Sequence, residues 1–383
     1  MSLMSFVGRE RNLLEETPEH CRQLKLSHPV LTNDDIYTLK NSEIDDFKVA
    51  SVSILFSVRQ GKGALQESID NIAKQVESKI DEGCSLVILS DRGVDRDNAP
   101  IPALLAIGGV HAHLVRKGKR HLSGLILETG EPREVHHFAT LIAFGASGVN
   151  PYLLFESIVD LKEREYFQRE LTVNDAFDHY INAVKKGLLK IMSKMGVSTI
   201  RSYRGSQLFE IVGLDQQFVD AYFPGAITRI GGVGIETIER EAVERHRAAF
   251  TDAGEEEPIL PSGGKYAYRK EGERHLLTPQ AIVTLHKAVR NSDFELFKQY
   301  SDIINNRTQN LCTLRGLFSI KSEGKIPVKE VEDEASIVKR FFAGAMSFGS
   351  ISKEAHETIA IAMNRLGGAS NSGEGGEDEL RYK

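Results

Sequence analysis

Cysteine is scarce in this chain. Cys21, Cys84 and Cys312 are its only three, far apart in sequence and in no C-x-x-C pair. That excludes a structural metal site or an iron–sulfur cluster built from this chain alone. A low, odd count fits a reducing compartment, and the expected localisation is cytoplasmic. Long apolar runs are missing too: no stretch approaches the roughly 20 apolar residues of a membrane span. The start, MSLMSFVGRERN, lacks the apolar core of a signal peptide, and Met-Ser-Leu before a second Met reads as an expression-vector leader over residues 1–4. Blocks of single-sign charge are absent. The formal net charge is -6, and the longest basic cluster, Arg116-Lys117-Gly118-Lys119-Arg120, reads as a solvated turn after a helix. Neither a nucleic-acid nor a membrane partner is expected. No G-x-S-x-G, Walker or H-E-x-x-H pattern occurs. His111 and His113, and His136 and His137, lack the i, i+4 spacing of a helical metal site and read as packed or partly exposed side chains, so no metal site is expected.

What is present is ample. The chain has 383 residues, 41% hydrophobic and 27% charged, enough for a sizeable core and more than one domain. Residues 5–50 are polar and read as an arm that packs on the next domain, with a helix N-cap at Thr32 or Asn33. From Ala50 a regular pattern sets in. "ASVSILFSV" (50–58) predicts a strand buried on both faces, and 64–83 a helix with Leu65, Ile69, Ile72, Val76 and Ile80 on one stripe. A strand over 84–91, a helix over 103–118, a strand over 122–130, a helix over 134–146 and a short fourth strand from 148 complete a βα alternation. Such alternation indicates a parallel sheet with right-handed crossovers, either open and doubly wound or closed as a barrel. Further on, the pattern predicts a helix over 174–195, a strand over 197–205, short helices over 206–223 and a helix over 234–250. A charged loop comes next over 252–277, then two helices. A linker near 316–341 precedes a new βα unit, with a strand over 342–351 and a helix over 352–368 capped by Ser352 and Gly367-Gly368.

Three stretches invite a functional reading. The loop after strand 84–91 carries Asp91, Arg92, Asp95 and Asp97 at the strand end where parallel folds build their sites. Turn chemistry and helix capping explain the same residues equally well. "GGVGIET" (231–237) matches G-x-G-x-x-G only in part, since Thr237 stands at the third glycine position; a phosphate at that helix start stays open. "GAMSFGS" (344–350) and "SNSGEGGED" (370–378) put small residues and carboxylates at consecutive strand ends, where a flat ring system could approach. A flexible glycine-rich tail is the plainer alternative.

At these last residues the sequence resembles a known family. "GAMSFGSISKEAHETIAIAMNRLGGASNSGEGGED" is similar to the opening of the flavin-binding synthase domain of the glutamate synthase large-subunit family. "LSDRGVDRDNAPIPALLAIGGVHAHLVRKGKR", "EVHHFATLIAFGASGVNPYLLFESI" and "RIGGVGIETIEREAVERH" resemble its central domain. The resemblance implies an α/β chain of parallel βα repeats, an incomplete TIM-barrel-like central domain over 51–325, a linker over 326–340, and over 341–383 the first part of an FMN-binding (βα)8 barrel. It implies that Ala345, Met346 and Ser347 lie against FMN in the whole protein, and that Glu374 and Glu377 lie near the substrate or the end of an ammonia tunnel. FMN and a 3Fe-4S cluster belong to that whole protein, and none is expected in this fragment. The implied partners are the glutaminase and FMN domains of the same polypeptide, with a small subunit or ferredoxin as electron donor. The expected role is structural, walling the ammonia path of an enzyme that makes glutamate from glutamine and 2-oxoglutarate, with no activity in the fragment itself. Two rivals remain: a stand-alone flavin- or phosphate-binding barrel with its site at the Asp91–Asp97 loop, and a non-enzymatic module that binds a separate glutaminase.

Overall fold

A computed structural model of the chain describes residues 1–42, 44, 47–167, 170–250, 263–305, 312–319, 321 and 324–382. The chain separates into two compact units, Met1–Pro258 and Ile259–Lys383.

The first unit opens with β1 (Ser5–Val7), β2 (Leu24–Leu26) and α1 (Asn33–Lys40). Thr32 caps α1, its hydroxyl accepting from the Asp35 N–H while the Asp35 carboxylate accepts from the Thr32 N–H. The βα series continues as β3 (Lys48–Ser53), β4 (Leu55–Ser57), α2 (Ala64–Asp81), β5 (Cys84–Ser90), β6 (Asn98–Pro100), α3 (Ala103–Arg116), β7 (Gly124–Glu128), α4 (Val135–Ala143), β8 (Gly148–Asn150), α5 (Tyr152–Glu163) and α6 (Val173–Met195). Strands β3, β5, β7 and β8 form one parallel sheet in that spatial order. Each strand lies beside the next in sequence, and the order never reverses. Doubly wound sheets reverse at a switch point, whereas barrels do not. The layers agree. Val87, Leu89, Leu125 and Leu127 point into the core with α2, α3 and α4. The alternate residues Leu86, Ile88 and Ile126 meet Val7, Leu26 and Ile36 of the arm. The crossover helices α2, α3 and α4 thus cover one face, as in an incomplete barrel, and α1 of the arm lies on the other. The arm fills the face a full barrel would close upon itself, and residues 29–31 pair with the free edge of β8 through Leu31 N–H to Val149 O and Val149 N–H to Pro29 O, 2.9 and 2.7 Å.

The sequence pattern fails in identifiable places. The apolar run at 50–58 is not one strand buried on both faces: it breaks at Ile54, β3 is an edge strand with only Val52 buried, and β4 leaves to pair antiparallel with β6. Residues 197–205 form no strand but a single helical turn, α7 (Ile200–Tyr203), because the Thr199 hydroxyl accepts from the Ser202 N–H and closes it. Residues 206–214 are not helical; they contain β9 (Glu210–Leu214), which lies between α7 and α8 (Gln216–Tyr222) in the chain. Its parallel partner is β10 (Ile227–Val233), ahead of α9 (Ile235–Ala249). β-propensity here reflects a partner that one sequence does not reveal. Of the loop expected over 252–277, residues up to 262 lie outside those described.

The second unit contains α10 (Pro279–Asn291), α11 (Phe294–Asn305), α12 (Glu334–Val338) and α13 (Lys353–Leu366). Ser352 caps α13, accepting from the Ala355 N–H, and Gly367 ends it at φ 84°. The strand expected over 342–351 does not form. Only isolated bridges occur there, Phe342 with Ala369 and Phe348 with Ile351. Phe341, Ala343 and Met346 exchange backbone hydrogen bonds with Ala369 and Asn371, but these do not continue into a regular ladder.

Candidate functional site: the strand ends of the parallel sheet

The carboxyl ends of β5, β7 and β8 bring together Asp91, Glu128, Thr129, Asn150 and Tyr152. Asp91 is 3% exposed. It accepts from the Thr129 hydroxyl at 2.5 Å and from the Gly130 N–H at 3.2 Å, and Tyr152 hydrogen-bonds to it. Burial pushes its pKa above the ordinary value, against the lowering effect of those donors. Burial, with Asp91 beside it, likewise pushes the Tyr152 phenol up. Glu128, at 2% exposure, accepts from Lys40 Nζ at 2.6 Å, Ser90 Oγ at 2.5 Å and Arg92 Nε at 2.9 Å. Burial alone would raise its pKa, but Lys40, Ser90 and Arg92 outweigh it and hold the carboxyl below its usual range. Arg92 also stacks over the Tyr152 ring at 4.0 Å and reaches Glu156 at 3.2 Å. The Asn150 amide donates to Leu31 O and Asn33 Oδ1.

Of the four loop residues singled out by sequence, Asp91 and Arg92 join this cluster. Asp95 does not; it accepts from the Asp97 N–H, the Asn98 N–H and the Asn98 amide, each at 2.9 Å, which is turn chemistry. Asp97 pairs with Arg59 through two contacts of 2.6 Å, both side chains exposed. Sequence reasoning missed Lys40, Glu128 and Tyr152. Glu128 was within reach, since "LILETG" ends a strand just as "LVILSD" does. Lys40 was not, because nothing in sequence pairs α1 with the end of β7. The cluster can bind the strand ends together. With Asp91 and Glu128 buried and supplied with internal donors, it presents neither of these two carboxylates to a substrate.

Two of the three glycines of "GGVGIET" serve packing, while a Cβ on Gly231 would meet open space. A Cβ on Gly232 would collide with Gly213 O, and one on Gly234 with Asp215 Oδ2. Asp215, whose carboxylate caps α8 by accepting from the Phe218 N–H, also lies beside Gly234 at the start of α9. Glu239, buried in α9, accepts from the Gly63 and Leu65 N–H groups and so caps α2. The basic cluster at 116–120 begins as the expected exposed turn after α3, at Arg116, Lys117 and Gly118, but its last two residues depart from it. Lys119 bridges Glu77 and Asp81, each at 2.8 Å, His113 meets Glu77 at 2.7 Å, and Arg120 turns inward to His111. Among the described residues no three His, Cys, Asp or Glu side chains gather as metal ligands, and no helix is long and apolar enough to cross a membrane.

In the second unit, the segment holding Ala345, Met346 and Ser347 lies against residues 371–375. The Met346 N–H donates to Asn371 O at 3.3 Å, and the Gly375 N–H to Ser347 Oγ at 3.3 Å. Added Cβ atoms on Gly373 and Gly375 would meet Ser347 at 2.9 and 2.5 Å. Glu374 is exposed, and Glu377 pairs with Arg381 at 3.0 Å. The two stretches read as neighbours from sequence are neighbours, but they close on each other. Ser347 is engaged by the glycine segment, so the arrangement does not fit a ring system between them.

Comparison with known proteins accords with this division. Residues 1–215 match the family model described as glutamate synthase central domain, and residues 275–383 match a conserved region in glutamate synthase. The NADPH glutamate synthase large chain of Bacillus subtilis is 43% identical over 382 residues, covering 100% of this chain and 24% of that one. The NADH glutamate synthase of Schizosaccharomyces pombe is 40% identical, with 100% and 18% covered. The ferredoxin-dependent glutamate synthase of Cyanidium caldarium is 38% identical, with 100% and 25% covered. The chain therefore spans about a quarter, or less, of the length of these relatives. Among solved structures, a flavocytochrome b2 variant with benzoylformate superposes at a TM-score of 0.29 and 16% identity over 42% of this chain and 40% of that one, too partial a match to carry an argument.

Proposed function

This chain belongs to the glutamate synthase family, and on that premise we propose that its first unit is a non-catalytic central domain. Its part in the whole enzyme is structural: it holds the ammonia-releasing and ammonia-consuming domains in place and helps wall the path between them. A walled path serves the chemistry by keeping ammonia from bulk water and from protonation. The observation that supports this reading is the sealed strand-end cluster. Where a parallel sheet ordinarily builds its site, Asp91 and Glu128 are buried at 3% and 2% exposure and engaged from within. Residues 341–383 of the second unit are then the beginning of the flavin domain. Its Ala345, Met346, Ser347, Glu374 and Glu377 would acquire their roles only beside the other barrel strands, because such a site needs groups pre-organised from several elements. Engagement of Ser347 by Gly375 supports that view. The remaining partners would be the glutaminase domain of the same polypeptide and, as electron donor, a small subunit or ferredoxin.

The test uses the purified 383-residue chain. The expected sample is colourless, and it forms no glutamate above the blank from 2-oxoglutarate, ammonium and a reductant. Visible flavin absorbance that survives gel filtration, or glutamate above the blank, would overturn the reading in favour of an enzyme with its own site.

A further inference from the structure

At the opposite, amino-terminal ends of β7 and β8 the chemistry inverts. A cleft of about 460 Å³ opens there, lined among others by Glu10, His111, Arg120, His121, Arg201 and Arg204. Arg120 is anchored by three of its donors: Nε to His111 Nδ1 at 2.9 Å, and the two terminal nitrogens to Ser123 O and Gly145 O at 2.8 Å each. His111 accepts through Nδ1, so it is neutral and carries its proton on Nε2. Burial, with Arg120 and Arg204 close by, pushes its pKa down to about 4. Arg204 donates one terminal nitrogen to the Ser147 hydroxyl. Arg201 pairs with Glu10 at 2.8 Å, and the Glu10 N–H is fixed to His121 O at 2.8 Å. Three guanidinium groups thus share one carboxylate, which leaves two positive charges in a partly buried space. Burial and the proximity of Arg204 disfavour the charge on Arg120, with Glu10 opposing them. A guanidinium stays protonated nonetheless, so the strain persists until an anion relieves it.

We propose that this cleft is a binding site for a small oxyanion, held by the free terminal N–H groups of Arg120 and Arg204, with Glu10 as the built-in carboxylate that an incoming ligand competes against for Arg201. A phosphate or a carboxylate satisfies the same fork of donors. The site is independent of the structural role proposed above: it lies at the other end of the sheet and shares none of the strand-end residues.

Thermal unfolding of the 383-residue chain against inorganic phosphate, and separately against succinate, at constant ionic strength set with chloride, tests it. The expected result is a saturable rise in Tm of about 3 °C at tenfold excess over Kd for at least one of the two. Phosphate alone would identify a tetrahedral ligand, succinate alone a carboxylate. Multiply charged anions also stabilise proteins non-specifically, so the deciding contrast is between variants. Arg204→Gln is expected to weaken binding at least tenfold, and Glu10→Gln to tighten it severalfold by removing the competing carboxylate. Equal shifts in the wild type and Arg204→Gln overturn the proposal. If Arg204→Gln fails to fold, Glu10→Gln decides: tighter binding supports the site, and unchanged or weaker binding overturns it.

Discussion

The two ends of one four-stranded sheet carry opposite electrostatic arrangements. At the carboxyl end, Asp91 and Glu128 are buried and met by Thr129, Gly130, Lys40, Ser90 and Arg92. At the amino end, Arg120, Arg201 and Arg204 share Glu10 around an open cleft. Fold-level experience places sites at the first end and reads the second as scaffold. Here the carboxylates of the first end are satisfied, with Asn150 Oδ1 the one atom of that cluster left without a partner among the described residues, and the second end has donors to spare. The difference teaches that topology marks where a site can be built, while local hydrogen-bond accounting decides whether one remains open.

The sharpest way to break the comparison is to unseal the carboxyl end. Glu128→Ala leaves Lys40 and Arg92 without their shared partner, although both cations can turn partly toward water, with side chains 33% and 41% exposed. The expected loss is about 3 kcal/mol by urea unfolding, near the lower bound for a broken buried pair. Glu10→Ala at the amino end should cost about 0.5 kcal/mol, since the Glu10–Arg201 pair is solvent-exposed. Equal costs at both ends would mean that neither is more sealed than the other.

Next in size is Asp91→Ala, which strands the Thr129 hydroxyl and Gly130 N–H at an expected cost of about 2 kcal/mol. Titration sharpens this case. The folded pKa of Asp91 is raised above its ordinary 3.8. Its contribution is therefore full below about pH 3.8 and is lost as pH rises through the folded value. Glu128 is lowered from 4.5, so its contribution is present above that pH and is lost as pH falls. The penalty of Asp91→Asn should shrink from acid toward neutral pH, and that of Glu128→Gln should shrink in the reverse direction. Parallel slopes would show that the two carboxylates do not differ in environment as described.

How much of this could be read beforehand depends on the range of each interaction. The β5 and β7 strands, the long helices and their caps at Thr32, Ser352 and Gly367 are local, and the residues that make them are contiguous. Asp91 was found because a strand end is a local feature. Lys40 meets Glu128 across 88 residues, and Arg204 meets Ser147 across 57, separations that only the folded topology brings to contact. The exchange of helix and strand around 200–214 has the same origin. β9 is a strand because β10 lies beside it, whereas the residues around Thr199 find only a single bridge, to Ser2, before the α7 turn begins. The missing strand at 342–351 is the converse case, a strand-like sequence whose neighbour at 369–371 offers only scattered backbone hydrogen bonds.

A third intervention probes the floor of the cleft. Gly145 adopts φ 127°, and a Cβ there would lie 2.7 Å from His111 Nδ1, the atom that accepts from Arg120. Gly145→Ala combines backbone strain with displacement of that ring, and about 2 kcal/mol of stability should be lost. Phosphate binding should weaken with it, because Arg120 loses two of its three anchors together. A stable variant with unchanged binding would show that the His111–Arg120 pair does not hold the cleft in shape.

The smallest effect is expected at Tyr203, beside Arg204. Its ring is fully buried, and its hydroxyl has no hydrogen-bond partner among the described residues. Burial alone pushes the phenol up, to about 12. A buried, unsatisfied hydroxyl costs stability, and removing it while keeping the ring retains the packing. Tyr203→Phe should therefore leave stability unchanged or raise it by up to about 1 kcal/mol. That sign separates two accounts of the amino end. If the end is built only to be stable, this buried hydroxyl is satisfied in solution by a bound water, and the substitution costs about 1 kcal/mol. If the end retains unsatisfied groups around a working cleft, the substitution is neutral or favourable, and the stability gained comes with no loss of phosphate binding, because the hydroxyl is not among the anion's donors.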